Sequence, residues 1–211
     1  MANPEHLKIL QQGVEVWNKW RAEHPRLTPD LCNSCFNGAE LVDANLQDGD
    51  LAGAKIRRAN LCGANLMFAN LQRADLCDSS FGLGVLAGAN CSYASFQGAD
   101  FRYSVLLEAN FGNTDLWQTD FTGAGLKGAD FKQARMEGTI FGDNDLSETK
   151  GLEAVRHTGP SVIGVETLYV SRGRILEGFL RGCGVPEEFI RYGFDTPKLA
   201  SALFGFVKSY F

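Results

Sequence analysis

The sequence predicts a mainly β solenoid, a coil that turns once every five residues and is closed at each end by helices. Three observations carry this expectation. A large apolar residue recurs every five positions from Phe36 to Leu146 without a slip in phase. Glycine is enriched, at 24 of 211 residues against the roughly 7% of ordinary domains, and shows no Gly-X-Y period of the collagen kind. The period is absent from both flanks, where apolar residues fall at helical spacing instead.

The first unit is residues 1–30, a capping helix and its lead-in. Leu7, Leu10, Val14 and Trp17 share one face of a helix over residues 5–22, with Lys8, Glu15, Lys19 and Arg21 around the rest. An apolar stripe of this kind covers a core and needs no chemistry of its own.

The second unit, residues 31–150, is the repeat. Its large positions read Phe36, Leu41, Leu46, Leu51, Ile56, Leu61 and onward, a small residue, most often Ala, stands two positions before each, and Asn or Asp often stands between. On an α-helix a five-residue step advances about 140° and smears the large residues around the whole surface. On a flat strand an odd step sends alternate large residues to opposite faces. The chain must therefore turn once per repeat, with the large and the small residue pointing inward. Gly falls repeatedly at the second position after the large one, as at Gly38, Gly53, Gly88 and Gly123, where a turn needs positive φ and Gly adopts it without steric cost.

Units such as Ala59-Asn60-Leu61, Ala74-Asp75-Leu76 and Ala129-Asp130-Phe131 resemble the bacterial pentapeptide-repeat family, whose consensus is Ala-(Asp/Asn)-Leu-X-X. The resemblance covers about half the chain. It implies a right-handed quadrilateral β-helix with four pentapeptides per turn and coils stacked about 4.8 Å apart. Side chains twenty residues apart then form columns: Leu46, Leu66, Leu86, Leu106, Leu126 and Leu146 in one, and Leu41, Leu61, Phe81, Phe101, Phe121 and Phe141 in another. The stretch Gly13 to Arg21, with Trp17 and Trp20, resembles segments that precede such repeats.

The third unit, residues 151–211, is a C-terminal helical region that caps the open coil end. Thr167–Val170, Ile175–Leu180 and Pro186–Tyr192 read as short helices separated by Gly173 and by residues 182–185. A further helix from Pro197 to Phe211 carries Leu199, Leu203, Phe206 or Val207, and Tyr210 on one face. The stretch from Gly151 to Ile190 resembles one that leads, in some bacterial pentapeptide-repeat proteins, into a Toll/interleukin-receptor-like domain, which implies a signalling or defence lineage.

Little in the chain reads as reaction chemistry, and neither catalytic, cofactor-binding nor metal-ligating residues are assigned. Cys32-Asn-Ser-Cys35 lacks the second ligand pair of a zinc site and the βαβ setting of a redox motif, so its thiols read as structural, with a disulfide and metal or redox chemistry as the alternatives. Cys91 occupies a large-residue position and belongs to the core. His6, His24 and His157 lie in three separate regions, and no Gly-x-Ser-x-Gly, Walker or Gly-x-Gly-x-x-Gly signature accompanies them. His157 reads as a hydrogen-bonded structural residue at the junction. The repeated Asp and Asn, among them Asp75, Asp100, Asp115, Asp120 and Asp130, occur on every side and read as caps of local turns.

The outward positions are more informative. Around the all-Leu column, Met67, Phe68, Val85, Val105 and Leu107 face solvent one coil apart, with Leu83 and Tyr103 at the adjoining corner. Such a patch is covered by a terminal helix, buried in a homodimer or kept for a foreign partner. A net charge of −5 and a pI near 5.2 argue against direct nucleic-acid binding. The absence of a long apolar run or a signal-peptide core points to a cytoplasmic protein without a membrane role. The leading expectation is a noncatalytic scaffold for protein–protein interaction. Some family members mimic DNA and bind a type II topoisomerase, and residues 39–146 are acidic with 14 Asp and Glu against 8 Lys and Arg. Lys55, Arg57, Arg58, Arg73 and Arg102 interrupt that surface, so mimicry ranks second, and an enzyme or signalling accessory built on the C-terminal region third.

Overall fold

A computed structural model of the chain describes residues 1–192. Parallel bridges join residues twenty apart, from Asp30 with Asp50 through Asp120 with Ile140 and again at Asp130 with Lys150. One coil is therefore four pentapeptides. Along most of the coil the N–H of the large residue donates to the next coil, as from Leu61 to Ser80 O (2.7 Å) and from Leu86 to Val105 O (2.8 Å), and the bridge residue donates back, as from Asn60 to Ala39 O (2.9 Å). Within a pentapeptide the small residue closes a turn onto the large one, as Ala64 N does onto Leu61 O (3.1 Å). The third residue of that turn lies at positive φ, the type II signature: Gly63 is at 68° and Gly123 at 69°.

The large residues form one dry core. The all-Leu column is buried along its length. Phe81, Phe101, Phe121 and Phe141 stack with centroids 4.7 to 5.5 Å apart, and Phe111 and Phe131 stack beside them at 5.2 Å, with edge-on contacts between the two columns. Ring spacing thus equals coil spacing, and offset stacking adds to the burial. Where Ser or Thr replaces the inward Ala, its hydroxyl is buried and satisfied by a carbonyl, as Thr119 Oγ1 is by Phe96 O and Thr139 Oγ1 by Leu116 O, both at 2.8 Å.

The N-terminal cap is two helices, α1 (Pro4–Leu10) and α2 (Val14–Glu23), where the apolar periodicity alone reads as one. Gly13 at φ 108° breaks the run. The predicted face survives the break, since Leu10 and Trp17 are buried and Leu7 and Val14 pack against the same core. The cap also satisfies backbone groups that have no preceding coil. Trp17 Nε1 donates to Asn45 O (2.8 Å), Arg21 to Gln47 O (2.9 Å) and Asn3 N to Asp30 O (3.1 Å), while Asn45 N donates to Asn18 Oδ1 (2.8 Å).

At the other end the pairing runs past the last in-phase pentapeptide. Strand β1 (Arg135–Met136) pairs in parallel with β3 (Arg156–His157), and β2 (Ile140–Phe141) with β4 (Val162–Ile163). These offsets are 21 and 22 residues, so two single-residue insertions carry the coil on after its sequence period has ended. Helix α3 (Val165–Val170) then crosses the end. Thr167 Oγ1 donates to Phe141 O (2.9 Å) and accepts from Asn144 N (3.1 Å), and Ser171 Oγ accepts from Leu146 N (3.0 Å). Helix α4 (Glu177–Gly182) inserts Phe179 edge-on against Phe141 at 5.9 Å, closing the phenylalanine column. Helix α5 (Glu187–Tyr192) follows. The helix expected over Pro197–Phe211 lies outside the described residues.

Candidate functional site

The seven outward residues singled out in the sequence come together on one side of the coil. Its centre line is Asn45, Asn65, Val85, Val105 and Gly125, each bridged to the next. One corner carries Leu83 below Tyr103, and the other carries Met67 and Phe68, with Leu107 one coil above Ala87 and Gly88. Phe68, Leu83 and Tyr103 are 60%, 70% and 61% exposed. Val105 and Leu107 are also exposed, and Met67 and Val85 are half-buried. The capping helices bond to this side only at its ends: α2 to residues 43–47, and α3 and the residue after it to residues 144–146.

The corner residues are held in an unusual backbone state. Phe68, Leu83 and Tyr103 have φ of 57°, 60° and 58°, a left-handed conformation that costs an L-residue roughly 1–2 kcal/mol. The side chains of Phe68 and Tyr103 point along the coil axis. The Phe68 ring lies where a Cβ on Gly88 would sit (2.6 Å), and the Tyr103 ring where one on Gly123 would sit (2.5 Å). Bare glycine one coil above gives each aromatic ring a flat seat. Tyr93, at φ 62° and equally exposed, belongs to a different corner beside Arg73. It escaped the sequence reading because it lies off the stripe, although its turn position was in phase.

The remaining candidates resolve into structural roles. Asp100, Asp120 and Asp130 accept from backbone N–H two residues on at 2.8 to 2.9 Å, as expected of turn caps. All six cysteines are free, and Cys91 is buried in the core. Asp30, Cys32 and Asp50 bring ligand atoms within 4.8 Å of one another, but an Asp30 oxygen accepts from Cys32 N and an Asp50 oxygen from Asn70. His157 does sit at the junction, against Phe179 at 5.3 Å and over Gly182, yet neither ring nitrogen has a hydrogen-bond partner among the described residues. Burial pushes its pKa below the ordinary value.

Several coil cations pair with neighbouring acids. Arg102 lies 2.7 Å from Asp100 and 4.0 Å from Asp120, and Arg135 lies 2.8 Å from Asp115. The Arg102 hydrogen bond holds the Asp100 carboxyl below the usual range. The acidic excess of the coil is thus interleaved with positive charge.

A chain coiled through twenty-residue turns of four like units is a solenoid repeat protein. The family model described as pentapeptide repeats matches eight copies, over residues 30–61, 44–82, 85–118 and 104–143. That is more than half the chain, which belongs to this family. Among solved structures, the pentapeptide repeat protein Rfr23 from the cyanobacterium Cyanothece 51142 is similar at 23% identity with a TM-score of 0.52, over 59% of this chain and 97% of that one. This likeness shows the fold. Two other similar chains are alr5209, a pentapeptide repeat protein from Nostoc PCC 7120, at 29% identity and TM-score 0.28 over 48% of this chain and 68% of that one, and the plasmid-mediated fluoroquinolone resistance protein QnrB1, at 18% and 0.28 over 63% and 73%. No curated protein matches the chain. Among the described residues no helix is long and apolar enough to cross a membrane.

Proposed function

We propose that the protein is a noncatalytic cytoplasmic scaffold, a right-handed quadrilateral β-helix that docks a protein partner on the side bearing Met67, Phe68, Leu83, Val85, Tyr103, Val105 and Leu107. The observation that carries this reading is the trio of large apolar side chains held both exposed and at positive φ. Elsewhere in the coil the same turn position is glycine or, Tyr93 apart, a polar or charged residue such as Asp48, Arg58 or Gln118. A leucine there gives up backbone stability and buries little, so stability does not account for its presence. Recognition does, because aromatic and aliphatic anchors on a rigid surface bind with small entropic cost.

Interleaved Arg–Asp pairs break the continuous acidic field that mimicry of DNA before a type II topoisomerase requires, so that reading stays second. The test is capture from native cells by tagged wild-type protein and by the double variant Val105→Glu, Leu107→Glu, with the melting curve as a control. Capture lost at unchanged stability supports the docking side, and capture unchanged refutes it. Concentration-dependent sedimentation abolished by the same variant identifies the partner as a second copy.

A further inference from the structure

The side of the coil opposite the apolar one carries a different chemistry. Its centre line is Cys35, Lys55, Asp75, Ser95 and Asp115, each bridged to the next and lying ten residues, half a coil, from the line through Val85. Residues 51–74 hold Lys55, Arg57, Arg58 and Arg73 and no acid, within a coil that is acidic as a whole. Half of the eight cations in residues 39–146 thus fall within about one turn, and all four are exposed.

Two clefts open at the edges of this side. One, of 480 Å³, is lined by Asn37, Gly38, Arg57 and Arg58, and the other, of 300 Å³, has Asn33, Gly53, Arg73 and Tyr93 in its lining. Each sets an arginine one coil above a bare turn glycine, Arg58 above Gly38 and Arg73 above Gly53, with an asparagine amide beside it. Asn37 Oδ1 accepts from Arg57 N (2.9 Å), which leaves its N–H groups to donate. The arginines keep hydrogen-bonding capacity as well. Arg57 and Arg58 lie 3.7 Å and 3.8 Å from Asp75 and Asp78, farther than the 2.7 Å and 2.8 Å at which Arg102 and Arg135 meet Asp100 and Asp115. Among the described residues Lys55 and Arg73 pair with no carboxylate. A guanidinium in this state takes a further carboxylate through two parallel N–H bonds.

We propose that this side binds an acidic segment of a partner protein, one carboxylate in each cleft with Lys55 between them. The surface is separate from the apolar side and does not rest on its reading. Gly53 and Arg57 are four residues apart along the extended face, about 13 Å, so an extended segment with two acids about four positions apart matches the clefts. A nucleic-acid duplex, with a phosphate charge every roughly 1.7 Å, extends beyond this single turn onto Asp75, Asp78 and Asp115 and meets repulsion there.

Fluorescence anisotropy of the full chain with a labelled peptide, Gly-Glu-Ser-Thr-Ser-Glu-Gly, tests the proposal, with the peptide carrying Gln for both Glu as reference. The expected result is saturable binding of the acidic peptide, weakened about tenfold by Arg57→Gln, Arg73→Gln and by the Gln peptide. The charge-matched variant Lys127→Gln, Lys132→Gln should leave affinity within about twofold. No saturable binding, equal binding of the two peptides, or equal loss in the two double variants each overturns it. A short DNA duplex that binds more tightly than the peptide through the same arginines overturns it too. Should Arg57→Gln, Arg73→Gln lower the melting curve, amide shifts of the wild type on peptide titration decide: shifts centred on residues 53–58 and 73 support the site, and shifts centred elsewhere overturn it.

Discussion

Tyr103 and Gly123 are neighbours because they occupy the same corner of successive coils, and the ring of one fills the space a side chain on the other would need. Gly123→Ala should therefore cost about 1–3 kcal/mol, through overpacking and left-handed strain together. Gly38→Ala meets nothing within 4 Å and should cost only about 1 kcal/mol of strain. Thermal unfolding of the two variants checks the difference, and equal melting temperatures would place the Tyr103 ring elsewhere. The opposite sign is expected at Leu83, which has little burial to lose: Leu83→Gly should stabilise by on the order of 0.5 kcal/mol, the relief of strain less the entropy of an added glycine, while weakening partner capture. At this scale the turn glycines were legible from their phase. That bulky residues such as Phe68 and Tyr103 share the same φ was seen only in the structure, and their seating on glycines follows from a four-unit coil that stacks position i on position i+20.

Each element of the coil is buried for the same reason, an inward large residue with a neighbour directly above and below. Leu86 is fully buried in the middle of the all-Leu column, so Leu86→Asp should cost several kcal/mol, about 3–5 by analogy with uncompensated buried charge. A wild-type melting curve would refute that assignment. The C-terminal element is set apart by His157. Burial depresses its pKa from an ordinary 6.5, so above that value both folded and unfolded forms are neutral and no stability is lost. As pH falls through 6.5 toward the depressed folded value, the unfolded form takes up the proton first and the cap loses stability. Protection of α4 amides, corrected for intrinsic exchange, should fall as the pH drops below about 6.5, and His157→Phe should remove that fall. The helices α3, α4 and α5 were legible from apolar spacing and glycine breaks. The hydrogen bonding expected of His157 was not realised, because Phe179 and Gly182 pack around the ring and supply no polar partner.

For the molecule as a whole, burial ranks the thiols. Cys35 is exposed, whereas Cys91 and Cys183 are buried and burial pushes both thiols up, that of Cys183 to about 12. Native alkylation should label Cys35 first and spare Cys91 and Cys183 until the chain unfolds, and early labelling of Cys91 would mean the core is open. The coil itself was determined by the sequence: a period of five is incompatible with helix and flat strand, so inward and turn positions follow from local pattern, and the resemblance to pentapeptide repeats implied the four-unit coil that aligns them into columns and an apolar side. Its ends were decided only by tertiary structure. Trp17, Asn18 and Arg21 find their carbonyl and N–H partners, two inserted residues extend the pairing to Ile163, and Phe179 closes the ring stack. None of these has a periodic signal, because each answers orphaned backbone groups and an open apolar end that exist only once the coil has formed.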